Sequence, residues 1–143
     1  MSETSRLPGL TLADADWLVN AALTIRVERG FPPLAVAVLD VMGEVIVLRR
    51  DDGGMPMTSR IAIAKARTAL LSLQPSGAIK LPTGIIDAIQ HLYGGDFVPW
   101  AGGLLVTEGT TILGAIGASG AHATEDEAAV QVAVTRWQER ERG

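Results

Sequence analysis

From Thr11 to Gly30, apolar and polar positions alternate in the way that is typical of an amphipathic helix. Thr11 and Asp14 have the spacing of a capping box at its start. Gly30 and the prolines that follow mark its end, because glycine accepts the left-handed conformation and proline cannot continue a helix. The apolar residues recur at intervals of three and four: Leu18, Ala21, Ala22 and Ile25.

Two short apolar segments, LAVAVLD (34–40) and EVIVLRR (44–50), predict a β-hairpin. Both are rich in β-branched residues, and Gly43 suits a tight turn between them. Because residues 34–39 are apolar at every position, we expect this strand to be covered on both faces. We expect helices on one face and a neighbouring subunit on the other.

Two helices are predicted next. Thr58 is expected to cap a helix over residues 59–73, where alanines permit close packing. A second, shorter helix is predicted within residues 80–93. It is bracketed by a Pro-Thr pair at its start and a Gly-Gly pair at its end.

The last third of the chain predicts strands and a final helix. We expect two or three strands within residues 102–109 and 110–119, with a turn near Gly109. Thr124 and Glu127 have capping-box spacing at the start of the last helix. The order αββααβββα predicts an α+β fold in which helices pack on an antiparallel sheet of about five strands.

The composition fits one soluble domain. At 143 residues, with 48% hydrophobic residues, the chain can build one core, so we expect a single domain over 1–143. We expect a flexible N-terminus at 1–10 and a polar tail at 138–143. No apolar run approaches the roughly 20 residues of a membrane span. The absence of cysteine and of a signal pattern favours a cytoplasmic protein without a membrane partner.

The charge argues against nucleic acid as a partner. The net charge is −4, and the only basic pair, Arg49 and Arg50, is followed at once by two aspartates. Phosphate binding needs a clustered basic face, and aromatic side chains are too few for a stacking platform.

The segment GAIGASGAHATEDE (114–127) is the most distinctive motif. Gly114, Gly117 and Gly120 are three residues apart, which matches neither the dinucleotide fingerprint nor the Walker loop. In a strand this spacing places successive glycines on opposite faces, where another backbone or a ligand can come close. The helix start that follows can bind an anion or be capped by its own acidic residues, and the acidic run favours self-capping.

Several blocks together resemble the GlcG/HbpS-like haem-binding family, which also includes the C-terminal part of PduO proteins. The blocks are TLADADWLVNAAL, PLAVAVLDVMGEVIVLRRDDG, IAIAKARTAL and LGAIGASGAHATEDEAAV, in this order. The resemblance implies an antiparallel sheet with packed helices, a symmetric homo-oligomer, and haem or another small-molecule ligand near the loop after the last strand. Two places depart from the family pattern beside that loop: PWAGGLLV and the residues 121–124.

The resemblance and the residue chemistry nominate the following site. His122 lies in the loop after the last strand and can ligate haem iron or act in acid–base chemistry, with Asp126 and Lys65 as further catalytic candidates. His91 is the only other imidazole, and a structural role suits it better. Candidates for ligand binding are Arg50, through a carboxylate or propionate, and Ser119, Gly120 and Trp100.

Two functions remain open at this point. The first is a homo-oligomeric protein that binds haem or a similar flat, anionic cofactor. The alternative is a cofactor-independent enzyme that performs isomerase, cyclase or lyase chemistry on a small organic acid or carbonyl compound. A fold alone does not decide between them.

Overall fold

The computed structural model describes residues 9–142 and contains four α-helices, one short 3-10 helix (Ser76–Ala78) and four strands in this range. Most of the segment 1–10, for which we expect flexibility, lies outside the described residues, as does Gly143. In chain order the elements are α1 (Leu12–Arg29), β1 (Ala35–Leu39), β2 (Val45–Arg50), α2 (Met57–Ser72), α3 (Thr83–Leu92), β3 (Gly103–Glu108), β4 (Thr111–Ser119) and α4 (Ala123–Arg142).

The strands form one antiparallel sheet in the order β2-β1-β4-β3. The predicted α+β fold and the two hairpins are therefore confirmed. Within the described residues the sheet has four strands rather than about five, because residues 111–119 form one continuous strand. That strand pairs with β1 on one side and β3 on the other, so it lies at the centre of the sheet.

Helices cover both faces of the sheet. The helices α1 and α4 pack together on one face, where Val36 and Val38 of β1 join the main hydrophobic core. On the other face, Ala35 and Ala37 contact Ala62 of α2. All five residues of β1 are buried, as predicted. However, its second face is covered by a helix of the same chain and not by a neighbouring subunit.

The glycine at the middle of β4 explains how α2 lies so close to the sheet. Gly117 faces α2, and a Cβ atom there would collide with the carbonyl oxygen of Ala62 and lie 2.9 Å from the nitrogen of Ala66. Gly103, its partner on β3, faces the backbone of Lys65. The predicted close approach is confirmed, and what approaches at Gly117 is backbone of the chain's own helix.

Helix ends were predicted with mixed success. The capping box of Thr11 and Asp14 is present, and Gly30 ends α1 in the left-handed conformation with φ of 67°. The caps at Thr58 and Thr124 were wrong, since α2 begins at Met57 and α4 at Ala123. The Thr58 hydroxyl donates instead to the Met55 carbonyl oxygen, 2.6 Å away.

The short helix α3 lies where the sequence predicts it, between the Pro-Thr and Gly-Gly pairs. None of its residues is buried, and it makes no extensive contact with another helix or strand in residues 9–142. Its apolar residues are therefore largely open, including Ile85 and Leu92. No helix of the described part of the chain is long and apolar enough to cross a membrane.

Candidate functional site

A buried ion pair joins the two helical layers beside the end of β4. The ammonium nitrogen of Lys65, on α2, lies 3.0 Å from Oδ2 of Asp126, on α4, and both side chains are only 3% exposed. Lys65 also donates to the carbonyl oxygen of Ala118, at 3.1 Å. The sequence nominated both residues, and the structure brings them into direct contact.

The carboxylate of Asp126 also binds the loop that leaves β4. Its other oxygen, Oδ1, accepts a hydrogen bond from the backbone N–H of Ala121, at 3.0 Å. The N–H of His122 donates to Oε1 of Glu125, at 3.1 Å. The start of α4 is thus capped by its own acidic side chains, which confirms the self-capping interpretation of the acidic run.

Strand pairing brings Arg50 and Ser119 to the same end of the sheet. Ala35 of β1 is paired with Arg50 on one side and Ser119 on the other. Residues paired across antiparallel strands point to the same face, so both side chains lie on the α2 face. Ser119 is buried, whereas Arg50 is exposed and donates to the Ser59 hydroxyl, at 3.3 Å.

His122 and Trp100 are exposed near this end of the sheet. His122 follows Ser119 by three residues, and its imidazole takes part in no hydrogen bond or ion pair within residues 9–142. Trp100 is exposed and lies three residues before Gly103, where β3 begins. By contrast, His91 lies on α3, which makes no extensive contact with the sheet in residues 9–142.

Ser76 is a supporting residue that the sequence did not reveal. Its hydroxyl donates to the carbonyl oxygen of Trp100, at 2.5 Å, and accepts from the N–H of Gly103, at 2.8 Å. The side chain therefore fixes the loop that carries Trp100 onto the start of β3. A single buried serine after a proline carries no motif that announces such a contact.

Burial raises the pKa of the Asp126 carboxyl above its ordinary value of 3.8, although the Lys65 ammonium and the bond from Ala121 act in the opposite direction. Taking a carboxylate out of water disfavours its charged form, and here this cost exceeds the gain from the cation. Asp126 therefore holds a proton more readily than an exposed carboxyl does.

This pKa predicts how the stability changes with pH. A carboxyl whose folded-state pKa is raised contributes stability that is fully present below its unfolded-state pKa and is lost as pH rises through the folded-state pKa. The variant Asp126→Asn lacks this proton site. We therefore expect the wild-type advantage in unfolding free energy over Asp126→Asn to shrink as pH rises from about 4 toward neutrality. Urea unfolding across that range measures it, and an advantage that grows with pH would contradict the raised pKa.

Four surface grooves lie away from the buried ion pair. Four grooves of about 330 to 460 Å³ have been located in the described residues, and none of them is lined by Lys65, His122 or Asp126. The largest of these four, which is lined by residues of α2 and α3, is mainly apolar. The candidate residues Arg50, Trp100 and His122 are exposed near one end of the sheet and line none of these four grooves. In residues 9–142 no three His, Cys, Asp or Glu side chains cluster as a metal site would require.

These observations define a small α+β domain whose four-stranded antiparallel sheet lies between helices, with a buried lysine–aspartate pair beside one end of its central strand. Residues 10–135 match the family described as haem degrading protein HbpS-like. The chain therefore belongs to the HbpS-like family.

Solved structures support the same fold. The chain is similar to the Klebsiella pneumoniae protein ORFY, with a TM-score of 0.82, 22% identity, and 96% of each chain covered. It is similar to a double mutant of Streptomyces reticuli HbpS, with a TM-score of 0.78 and 27% identity over 92% of this chain and 88% of that one. It also resembles PduOC solved as a haem complex, with a TM-score of 0.78 and 21% identity over 89% and 94% of the two chains. No curated protein matches the chain.

Proposed function

We propose that this protein binds haem on the surface formed by Arg50, Trp100 and His122. The observation that carries the proposal is the occurrence of an exposed imidazole, guanidinium and indole near one end of the sheet, in a chain of the HbpS-like family. A solved haem complex of the similar protein PduOC supports the choice of ligand.

The residues present have the chemistry that haem requires. The imidazole of His122 has no partner among the described residues, so a ring nitrogen is free to ligate iron. Arg50 has no carboxylate within ion-pair distance in residues 9–142, and its guanidinium can bind a propionate in a bidentate manner. Trp100 offers an exposed indole face against a flat ring. Bound haem would supply an iron centre for redox or oxygen chemistry, while these residues bind and orient it.

We also propose that the protein is a homo-oligomer. The exposed apolar side chains of α3 and of the groove beside it support this, since open apolar surface of this kind is often covered by another chain. An oligomer would also shelter the apolar body of a haem that the open surface of one chain leaves exposed. A cytoplasmic location remains a prediction from the sequence.

The alternative of acid–base catalysis would use Asp126 and Lys65. The raised pKa of Asp126 favours it, because perturbed pKa values are common in active sites. However, both side chains are almost fully buried and bonded to each other. A substrate would reach them only after neighbouring parts of the chain moved aside. For this reason we prefer the binding function and keep the catalytic role as a second hypothesis.

Hemin titration of the purified protein tests the proposal. We expect a Soret band that saturates at a fixed ratio of hemin to protein chains, and an oligomer mass with bound haem in native mass spectrometry. We expect His122→Ala to weaken hemin binding by at least about tenfold and to shift the Soret band, because loss of a ligand costs no less than loss of a supporting residue, which typically costs 10- to 100-fold.

His91→Ala is the matched control, since it removes the only other imidazole, which is also exposed but lies on α3. We expect hemin binding by this variant to equal that of the wild type. A wild-type protein that shows no Soret change at micromolar hemin, or a His122→Ala variant that binds as the wild type does, would refute the proposal.

A further inference from the structure

The buried pair Lys65–Asp126 connects parts of the chain that lie far apart in sequence. The two residues are separated by 61 positions and belong to helices on opposite faces of the sheet. Other ion pairs in residues 9–142 have side chains that are 23% to 50% exposed, whereas these are 3% exposed. Lys65 reaches Asp126 beside the end of β4, where it also binds the Ala118 carbonyl oxygen.

Both oxygens of the Asp126 carboxylate are used, and they bind different parts of the structure. Oδ2 accepts from Lys65 on α2, and Oδ1 accepts from the N–H of Ala121 in the loop that carries His122. The carbonyl oxygen of His122 in turn accepts from the N–H of Asp126, at 2.8 Å. The position of this loop therefore depends directly on where the carboxylate is held.

The same lysine lies against the loop that carries Trp100. A Cβ atom at Gly102 would lie 2.9 Å from the Lys65 ammonium nitrogen and 3.0 Å from its Cδ atom. Gly102 also has a φ of 130°, which a residue with a side chain rarely adopts. The absence of a side chain at position 102 leaves the space that the lysine occupies. The ammonium group thus lies between the two loops that carry Trp100 and His122.

Net stability does not explain this arrangement well. The cost of removing two charges from water often exceeds their attraction, so a buried ion pair frequently stabilises less than apolar side chains of the same volume would. The raised pKa of Asp126 agrees with such a cost. What the pair does provide is geometry, because it allows few alternative arrangements of the groups that it binds.

We propose that Lys65 and Asp126 are positioning residues that hold the loop 120–122, and with it His122, in a fixed orientation relative to α2. The ligand part of this inference rests on the haem-binding function proposed above, whereas the loop part does not depend on any ligand. The pair acts on ligand binding through the loop and does not touch the ligand.

The variant Lys65→Met tests the inference, since methionine keeps most of the length and apolar volume of the side chain but cannot bind the carboxylate. We expect the amide hydrogens of Ala121 and His122 to exchange at least about tenfold faster than in the wild type, while those of α1 and β1 keep their rates. We expect hemin to bind more weakly, with a Soret band shifted toward that of His122→Ala.

Arg49→Met is the control, because Arg49 forms an exposed ion pair with Asp16 between β2 and α1. It should change neither readout.

The exchange rates distinguish a positioning role of the pair from a general structural role. Unchanged exchange at Ala121 and His122, or an equal increase in α1 and β1, would overturn the inference and leave the pair with a general structural role. If the wild type binds no hemin, the proposed function fails, and the exchange rates still decide the positioning role. If Lys65→Met does not fold, Asp126→Asn replaces it, because asparagine keeps an oxygen for Ala121 but loses the charge that holds Lys65. Faster exchange confined to residues 120–122 in that variant supports the inference, and unchanged exchange rejects it.

Discussion

Replacing Gly117 by alanine is expected to lower the free energy of unfolding by at least about 3 kcal/mol. A Cβ atom at this position would collide with the Ala62 carbonyl oxygen of α2 and lie 2.9 Å from the Ala66 nitrogen. Neither obstacle is a flexible side chain that can turn away. Relief requires that α2 move off the sheet, which would open the contacts of Ala35 and Ala37 with Ala62.

Gly84→Ala is the matched control for this substitution. Gly84 lies in α3, and a Cβ atom there meets nothing within 4 Å. Alanine is the better helix former by about 1 kcal/mol, so this variant should be as stable as the wild type or slightly more stable. Urea unfolding followed by tryptophan fluorescence measures both variants. Similar stabilities for Gly117→Ala and Gly84→Ala would show that α2 does not lie as close to β4 as described.

The sequence predicts best what depends on neighbouring residues. The capping box at Thr11, the left-handed Gly30 and the turn near Gly43 are set by contacts within a few positions, and all three are present. The start of α4 shows the limit of such signals. Thr124 and Glu127 have the expected capping-box spacing, but Asp126 and Glu125 accept from the N–H groups of Ala121 and His122 instead.

Contacts between distant residues were predictable only in part. The apolar run 34–39 correctly indicates a strand buried on both faces, but it carries no information about which chain covers each face. Lys65 and Asp126 were both singled out, yet their contact depends on the path of β4 between them and on space left by Gly102. No local pattern encodes a bond across 61 positions.

The candidate ligand residues also fall into two groups: those that are neighbours in the chain and those that only the fold brings to the same end of the sheet. Ser119, Gly120 and His122 are neighbours in the chain, so a glycine-rich loop after a strand is enough to group them. Arg50 lies at the same end of the sheet only because Ala35 pairs with both β2 and β4. Trp100 lies there only because β3 begins three residues after it. Strand order, which no single segment specifies, is therefore what gathers the proposed haem surface.

Trp137→Ala is expected to cost about 3 to 5 kcal/mol of unfolding free energy, because it empties the largest fully buried side-chain site of the described core. Trp137 is 2% exposed and belongs to the main core, where α4 contacts α1 and the sheet. Its indole nitrogen has no hydrogen-bond partner in residues 9–142. Trp137→Phe should therefore cost less than half as much, since a phenyl ring fills most of the space and no hydrogen bond is lost. Equal losses for the two variants in urea unfolding would mean that the indole N–H donates to an acceptor, and that the site is held by polarity as well as by packing.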